Sequence, residues 1–172
     1  AQVLAQFVRS HVQLPAQAPV AYTRTATAIE NLGDVAIMLK LPENQTFYDS
    51  ERVTLQRVKK PDNTLWKADP AADVLLLGDS FANIYALGGM GWGDSAGLAE
   101  QLSAELSRPI DTLLINDNAS HATRRQLSRE IVNGKDRLAE KKLVIWEFAA
   151  RELAVGDWKM DFPMKPVNAA RP

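Results

Sequence analysis

Cysteine is absent from the 172 residues, which excludes disulfide staples and thiolate catalysis and leaves the redox compartment open. Histidine is nearly absent too: only His11 and His121 are present to do imidazole chemistry. Nor is there an excess of charge of either sign. Twenty basic residues stand against twenty-one acidic ones, for a formal charge of -1. A nucleic acid is therefore not an expected partner, because little positive charge is available to release its counterions. Long apolar runs are also missing. A run such as Val74 to Leu77 has only strand length, whereas a bilayer span needs about 18 residues, so no membrane span is expected. Five of the nine glycines crowd into 88–97, GGMGWGDSAG, but the stretch lacks the Gly-Lys-Ser/Thr ending of a phosphate loop and does not support nucleotide binding. No His, Asp or Cys cluster has metal-ligand spacing, and neither a metal nor another cofactor is expected.

What is present suffices for one core. A hydrophobic content of 46% over this length suits a single domain and is short for two. Apolar residues Leu4, Phe7 and Val8, followed by His11, recur at helical spacing from Gln2 to His11, and Pro15 stops the pattern. Between residues 20 and 60 a small β-rich segment is expected. Val20 to Ile29 alternates with threonines as a half-exposed strand, Asn31 to Asp34 turns, Val35 to Leu41 is a short amphipathic piece, and Arg52 to Val58 alternates again.

Beyond residue 73 the pattern is strand, loop, helix, repeated. Val74 to Leu77 is continuously apolar, as a strand covered on both faces must be. A helix is expected from Asp94 to Leu106, a strand from Thr112 to Ile115, and a helix from Ser120 to Val132 capped by Asn133-Gly134. Helix resumes from Lys135 to Lys141, and a third strand runs from Leu143 to Trp146. Alternating β and α units imply a parallel sheet with helices on both faces. Ligands of such sheets sit beyond the carboxyl ends of the strands, which directs attention to the residues after Leu77, Ile115 and Trp146.

Gly78-Asp79-Ser80-Phe81 follows the first buried strand. A serine where a buried strand breaks into a loop is placed as a nucleophile, although Gly-Asp-Ser is also an ordinary turn tripeptide. His121 follows the second strand, either as a loop residue lining the pocket or, with Asp117 four residues earlier, as an oriented base. His11, at the end of the first apolar stripe, reads as a packing or surface residue. Arg151 follows the third strand and has two roles open to it: donor to an oxyanion or to a uronate carboxylate, or ion-pair partner of Glu147 or Glu152. Asn116 and Asn118 could bind substrate hydroxyls or cap the next helix. Trp92, Trp146 and Trp158 could stack on sugar rings or simply pack.

Three stretches give these candidates a family. Asp73 to Tyr85, DVLLLGDSFANIY, resembles the first block of the SGNH hydrolase superfamily, whose Gly-Asp-Ser serine is the nucleophile. Leu114 to Thr123, LINDNASHAT, resembles the second block, with His121 nearest the usual oxyanion glycine. Val144 to Glu152, VIWEFAARE, resembles the third, with Ala149-Ala150-Arg151-Glu152 in place of Gly-Gly-Asn-Asp. Together with Gly156-Asp157-Trp158-Lys159, these are similar to the AlgX/AlgJ-like alginate O-acetyltransferase group.

The resemblance implies an α/β three-layer, circularly permuted SGNH-type fold in which residues 73–159 form the nucleophile-bearing core. It also implies that the Asp-x-His pair supplying the general base lies upstream of the serine. No Asp-x-His occurs in these residues, so the expectation is a single domain lacking its N-terminal part, with the base before Ala1. The function implied is transfer of acetyl groups by Ser80 to an exported polysaccharide such as alginate. Its setting would be the periplasm, with the acetyl groups delivered by a membrane partner. An SGNH acetylesterase and a non-catalytic polysaccharide-binding or scaffold protein are the alternatives.

Overall fold

In a computed structural model, the structure describes residues 1–116, 119–156 and 158, with 119 and 120 described through their backbone. Its elements are α1 (Gln2–His11), β1 (Thr23–Asn31), α2 (Asp34–Met38), β2 (Glu51–Lys59), β3 (Val74–Gly78), α3 (Ser80–Asn83), α4 (Leu98–Leu106), β4 (Asp111–Leu114), α5 (Ala119–Val132), β5 (Leu143–Trp146) and α6 (Glu152–Val155). A single turn of 3-10 helix covers Gly88–Met90.

The three parallel strands are ordered β4-β3-β5, so the most apolar strand takes the centre. All five residues of β3 are buried, and their alternation divides the interior in two. Val74 and Leu76 join Ala5 of α1, Ala99 and Leu102 of α4, and Ile110 on one face. Leu75 and Leu77 meet Leu127 and Ile131 of α5 on the other. This is the expected three-layer α/β arrangement. The chain leaves β3 toward the α4 face and leaves β4 toward the α5 face, so neighbouring strands send their connections to opposite sides. In such sheets the residues beyond the carboxyl ends, where the connections diverge, are where ligands bind.

The β-rich segment is a separate antiparallel pair, β1 with β2, registered from Thr23 opposite Lys59 to Asn31 opposite Glu51. Leu55 and Val58 of β2 are buried, and the Val58 N–H donates to Ser95 O at 2.7 Å, tying the ribbon to the body.

Several sequence-derived boundaries shift. The first strand starts at Thr23 because residues up to Tyr22 run as an extended link after Pro19. The Val35–Leu41 piece is helical only through Met38, and its amphipathic character is slight. Ala36 is buried while Val35, Ile37 and Met38 face out. Helix α4 begins at Leu98 rather than Asp94, since Ser95 has φ 52 and Gly97 is the N-cap. Helix does not resume from Lys135 to Lys141. Gly134 at φ 81 reverses the chain in the left-handed region, and turns follow to Lys141. His11 is exposed and stacks on Phe7, with ring centroids 4.2 Å apart, as a surface residue.

Candidate active site

The three positions singled out beyond the strand ends are brought together by the register. Ile115 N–H donates to Gly78 O at 3.0 Å, and Glu147 N–H donates to Leu77 O at 2.8 Å. The chain after β3 is thus flanked on both sides, and what it does there is a tight strand-to-helix turn. Asp79, buried, is the N-cap of α3 and accepts the Phe81 N–H at 2.8 Å. Ser80 is the first helical residue, half-buried at the start of a four-residue helix that periodicity could not reveal. No described residue hydrogen-bonds its hydroxyl.

Gly78 is required by close approach. A Cβ there would lie 2.8 Å from Glu147 Oε2, 3.0 Å from Leu114 Cδ2 and 3.1 Å from Ala82 Cβ. The carboxyl occupying that space belongs to the residue after β5. Glu147 Oε2 accepts the Asp79 N–H at 3.0 Å, and burial is the main reason its carboxyl is raised above the ordinary glutamate range. The Asp79 N–H opposes that rise, while the neighbouring Asp79 charge and a hydrogen bond between the two carboxyls add to it. Nothing in local periodicity points to Glu147, but its place directly after a central-sheet strand is the signal that could have found it.

On the other flank, Asn83 Nδ2 donates to Asn116 Oδ1 at 2.7 Å, and Asn116 Nδ2 reaches Met90 Sδ at 3.5 Å. Asn116 therefore ties α3 and the glycine-rich stretch to the end of β4. Behind α3, Gly97 lets α4 approach closely: a Cβ would be 2.6 Å from Ala82 O and 2.7 Å from Ala86 Cβ. Three residues on, Glu100 is buried, and burial lifts its carboxyl to about 7 against the opposing backbone N–H groups of Glu100 and Gly97.

The other candidates separate. His121 lies within the first turn of α5, inside the helix expected from Ser120 rather than in the loop before it; the helix starts at Ala119. Its ring is half-buried, with Nδ1 shut off from solvent. Arg151 stands in the turn before α6, with 71% of its side chain exposed and Nε 3.8 Å from Glu152 Oε1. Of its two possible ion-pair partners it is nearer Glu152, in an exposed contact worth little. Asn118 and Asp117 lie outside the described residues.

Trp92 is buried as a packing residue. Trp146, Phe148 and Trp158 form an edge-to-face cluster with centroids 4.9–5.8 Å apart, and Arg124 sits over both indoles at 5.7 and 5.6 Å. Trp158 Nε1 donates to Glu152 O at 2.6 Å, so the cluster also braces α6.

Comparison with known proteins bears on this edge of the sheet. A family model described as the SGNH hydrolase-like domain of the acetyltransferase AlgX matches residues 1–150. No curated protein sequence matches the chain. Among solved structures, the O-acetyltransferase domain of Pseudomonas putida AlgJ superposes with a TM-score of 0.64 at 17% sequence identity. The match covers 94% of this chain and 50% of that one, so the present residues span half the length of the solved relative.

Proposed function

The chain belongs to the AlgX family of SGNH hydrolase-like acetyltransferase domains, and from that premise we propose that it carries the nucleophile of a polysaccharide O-acetyltransferase, with Ser80 as the acyl acceptor. The supporting observation is the placement of Ser80: first residue of α3, half-buried, at the carboxyl end of the central strand, where the connections diverge.

In this mechanism Ser80 Oγ attacks the carbonyl carbon of an acetyl donor while a base removes the hydroxyl proton. The tetrahedral oxyanion collapses to acetyl-Ser80 and expels the leaving group, which takes up a proton. A sugar hydroxyl then attacks the acetyl-enzyme, giving its proton to the base, and regenerates Ser80. An unassisted serine is a weak nucleophile, so the base is assigned to an Asp-x-His pair outside these 172 residues. An exported uronate polymer such as alginate is the proposed acceptor, the periplasm the proposed setting, and a membrane protein the proposed source of acetyl groups.

The test uses the full-length protein, a chromogenic acetyl ester and an oligouronate acceptor. Ser80→Ala is expected to lower acetyl release by about a thousandfold or more, as loss of a covalent nucleophile does. Wild-type protein should add acetyl mass to the oligosaccharide. Release of acetate alone, with the acceptor unmodified, identifies an esterase instead, and unchanged turnover by Ser80→Ala removes this serine from the chemistry.

A further inference from the structure

We propose that Glu147 is the positioning residue for Ser80: entering from the end of β5, its carboxyl holds the backbone N–H of Asp79 and packs against Gly78, and so fixes the turn from which the serine issues. The proposal rests on the acetyl-transfer reading of Ser80 and adds a part to it.

The geometry is specific. One oxygen, Glu147 Oε2, accepts the Asp79 N–H at 3.0 Å and also fills the space beside Gly78 that a Cβ would need. The Glu147 backbone is fixed in turn, its N–H donating to Leu77 O at 2.8 Å, one residue before that glycine. Asp79 completes the chain of contacts by accepting the Phe81 N–H at 2.8 Å across Ser80. The backbone on both sides of the nucleophile is therefore referenced to a side chain from a different strand.

Two carboxyls this close can share a hydrogen bond only while one of them keeps a proton. Burial, first, and then the Asp79 charge raise the Glu147 carboxyl, and among the described residues Asp79 is the charged group that acts on it. Leu77, Gly78 and Ala82, the other neighbours on β3 and α3, bring no charge, nor does Leu114 of β4. With the proton in place the pair is a tether. Once it is lost, two adjacent carboxylates repel directly beneath the serine. A folded pKa raised above the unfolded value means that the tether is complete at low pH and is lost as pH rises through the folded value.

Glutamine is the informative replacement. Its carbonyl oxygen can accept the Asp79 N–H and its amide can donate to the Asp79 carboxylate at any pH. In the full-length protein, Glu147→Gln is expected to keep kcat for the acetyl ester within about threefold and to lose the fall in activity that deprotonation of the carboxyl pair adds to the wild-type profile as pH rises. Glu147→Ala is expected to lower kcat by about a hundredfold with KM nearly unchanged, the scale of a misplacement of about 1 Å. Glu147→Asp, too short to reach, should not rescue. Amide hydrogen exchange over residues 78–82, measured in a Ser80→Ala background, reports the tether independently of chemistry, and adding Glu147→Ala should accelerate it by at least about tenfold. If Ser80→Ala leaves turnover intact but exchange accelerates, the nucleophile assignment fails while the tether stands. Unchanged exchange in the Glu147→Ala background, or the same fall in activity with rising pH in Glu147→Gln, overturns the proposal.

Discussion

Replacing Asp111 by asparagine should cost this protein about 3–5 kcal/mol, the range measured for removing one partner of a buried ion pair. Asp111 opens β4 and is wholly buried. Arg137 grips it with two bonds, Nε to Oδ2 at 2.9 Å and Nη2 to Oδ1 at 2.8 Å, and Lys141 Nζ lies 2.9 Å from Oδ2. Glu130 takes the remaining arm of Arg137 at 3.1 Å, while Lys141 also donates to Pro70 O and Ala72 O at 2.8 and 2.6 Å. Two cations therefore balance two anions. Without Asp111, Arg137 keeps Glu130, but Lys141, its side chain only 3% exposed, is left among carbonyls with no anion. Against a typical stability of about 5–15 kcal/mol, such a loss is large and should lower Tm by about 10 °C.

The pH dependence separates this account from a packing defect. Burial alone would raise the Asp111 carboxyl, but hydrogen bonds from Arg137 and Lys141 and their charges outweigh it and hold it below the usual aspartate range. The stabilisation is therefore present above the unfolded pKa, about 4, and fades as pH falls through the lower folded value. Urea midpoints of wild type and Asp111→Asn, compared from about pH 7 to pH 3, should draw together in acid. Adding Lys141→Met to the variant should recover part of the loss, giving a coupling energy of about 1 kcal/mol or more. A cost below about 1 kcal/mol at neutral pH, or a gap that does not narrow in acid, would refute the reasoning.

Two further outcomes follow from the close approaches around α3. Gly78→Ala should destabilise by about 1–3 kcal/mol in urea unfolding and lower kcat as well, because the new methyl displaces Glu147 Oε2; a variant with wild-type turnover would show that the turn adapts. Glu100, lifted to about 7 by burial, makes wild-type stability fall as pH rises from its unfolded value near 4 through about 7, by up to roughly 1.4 kcal/mol per unit. Glu100→Gln should flatten that part of the Tm profile, and a parallel profile would exclude Glu100 as its source.

How much of this could be read from the chain alone depends on the range of the interaction concerned. Val74 to Leu77 announced a central strand because a continuous apolar run followed by a turn signal fits a strand covered on both faces, and the Ser80 position followed from where that strand ends. Turns governed by one backbone angle were less legible. Lys135 to Lys141 has helix-forming residues, yet Gly134 at positive φ sends them into turns that aim Arg137 and Lys141 at Asp111. Arg151 was legible from its place near the third strand's end, whereas the contact of Glu147 with the serine turn was not. The reason is register: pairing Leu77 of β3 with Trp146 of β5 sets the next residue on each strand side by side, and no local pattern encodes that pairing. The distribution of polar candidates after β4 was only partly recoverable, since Asn116 is tied to Asn83 while Asn118 is not among the described residues.

The same sheet carries opposite electrostatic arrangements at its two ends, and this predicts which end fails first. At the amino end, Asp73 faces Arg108 at 3.2 Å and Asp111 faces Arg137 and Lys141, so each acid is matched by a cation, and falling pH is the condition that strips Asp111 of its charge. At the carboxyl end, Asp79 and Glu147 face each other, and rising pH is the condition that sets them apart. Loss at the amino end breaks contacts on which the core layers rest, whereas loss at the carboxyl end frees one short turn. In a Glu100→Gln background, which removes the other rising-pH effect, activity should therefore fall as pH rises through the titration of the pair while far-UV circular dichroism and the urea midpoint change far less, and as pH falls through that of Asp111 activity and fold should decline together. Circular dichroism that collapses in step with activity as pH rises would mean that the acid pair holds the whole sheet rather than the serine turn.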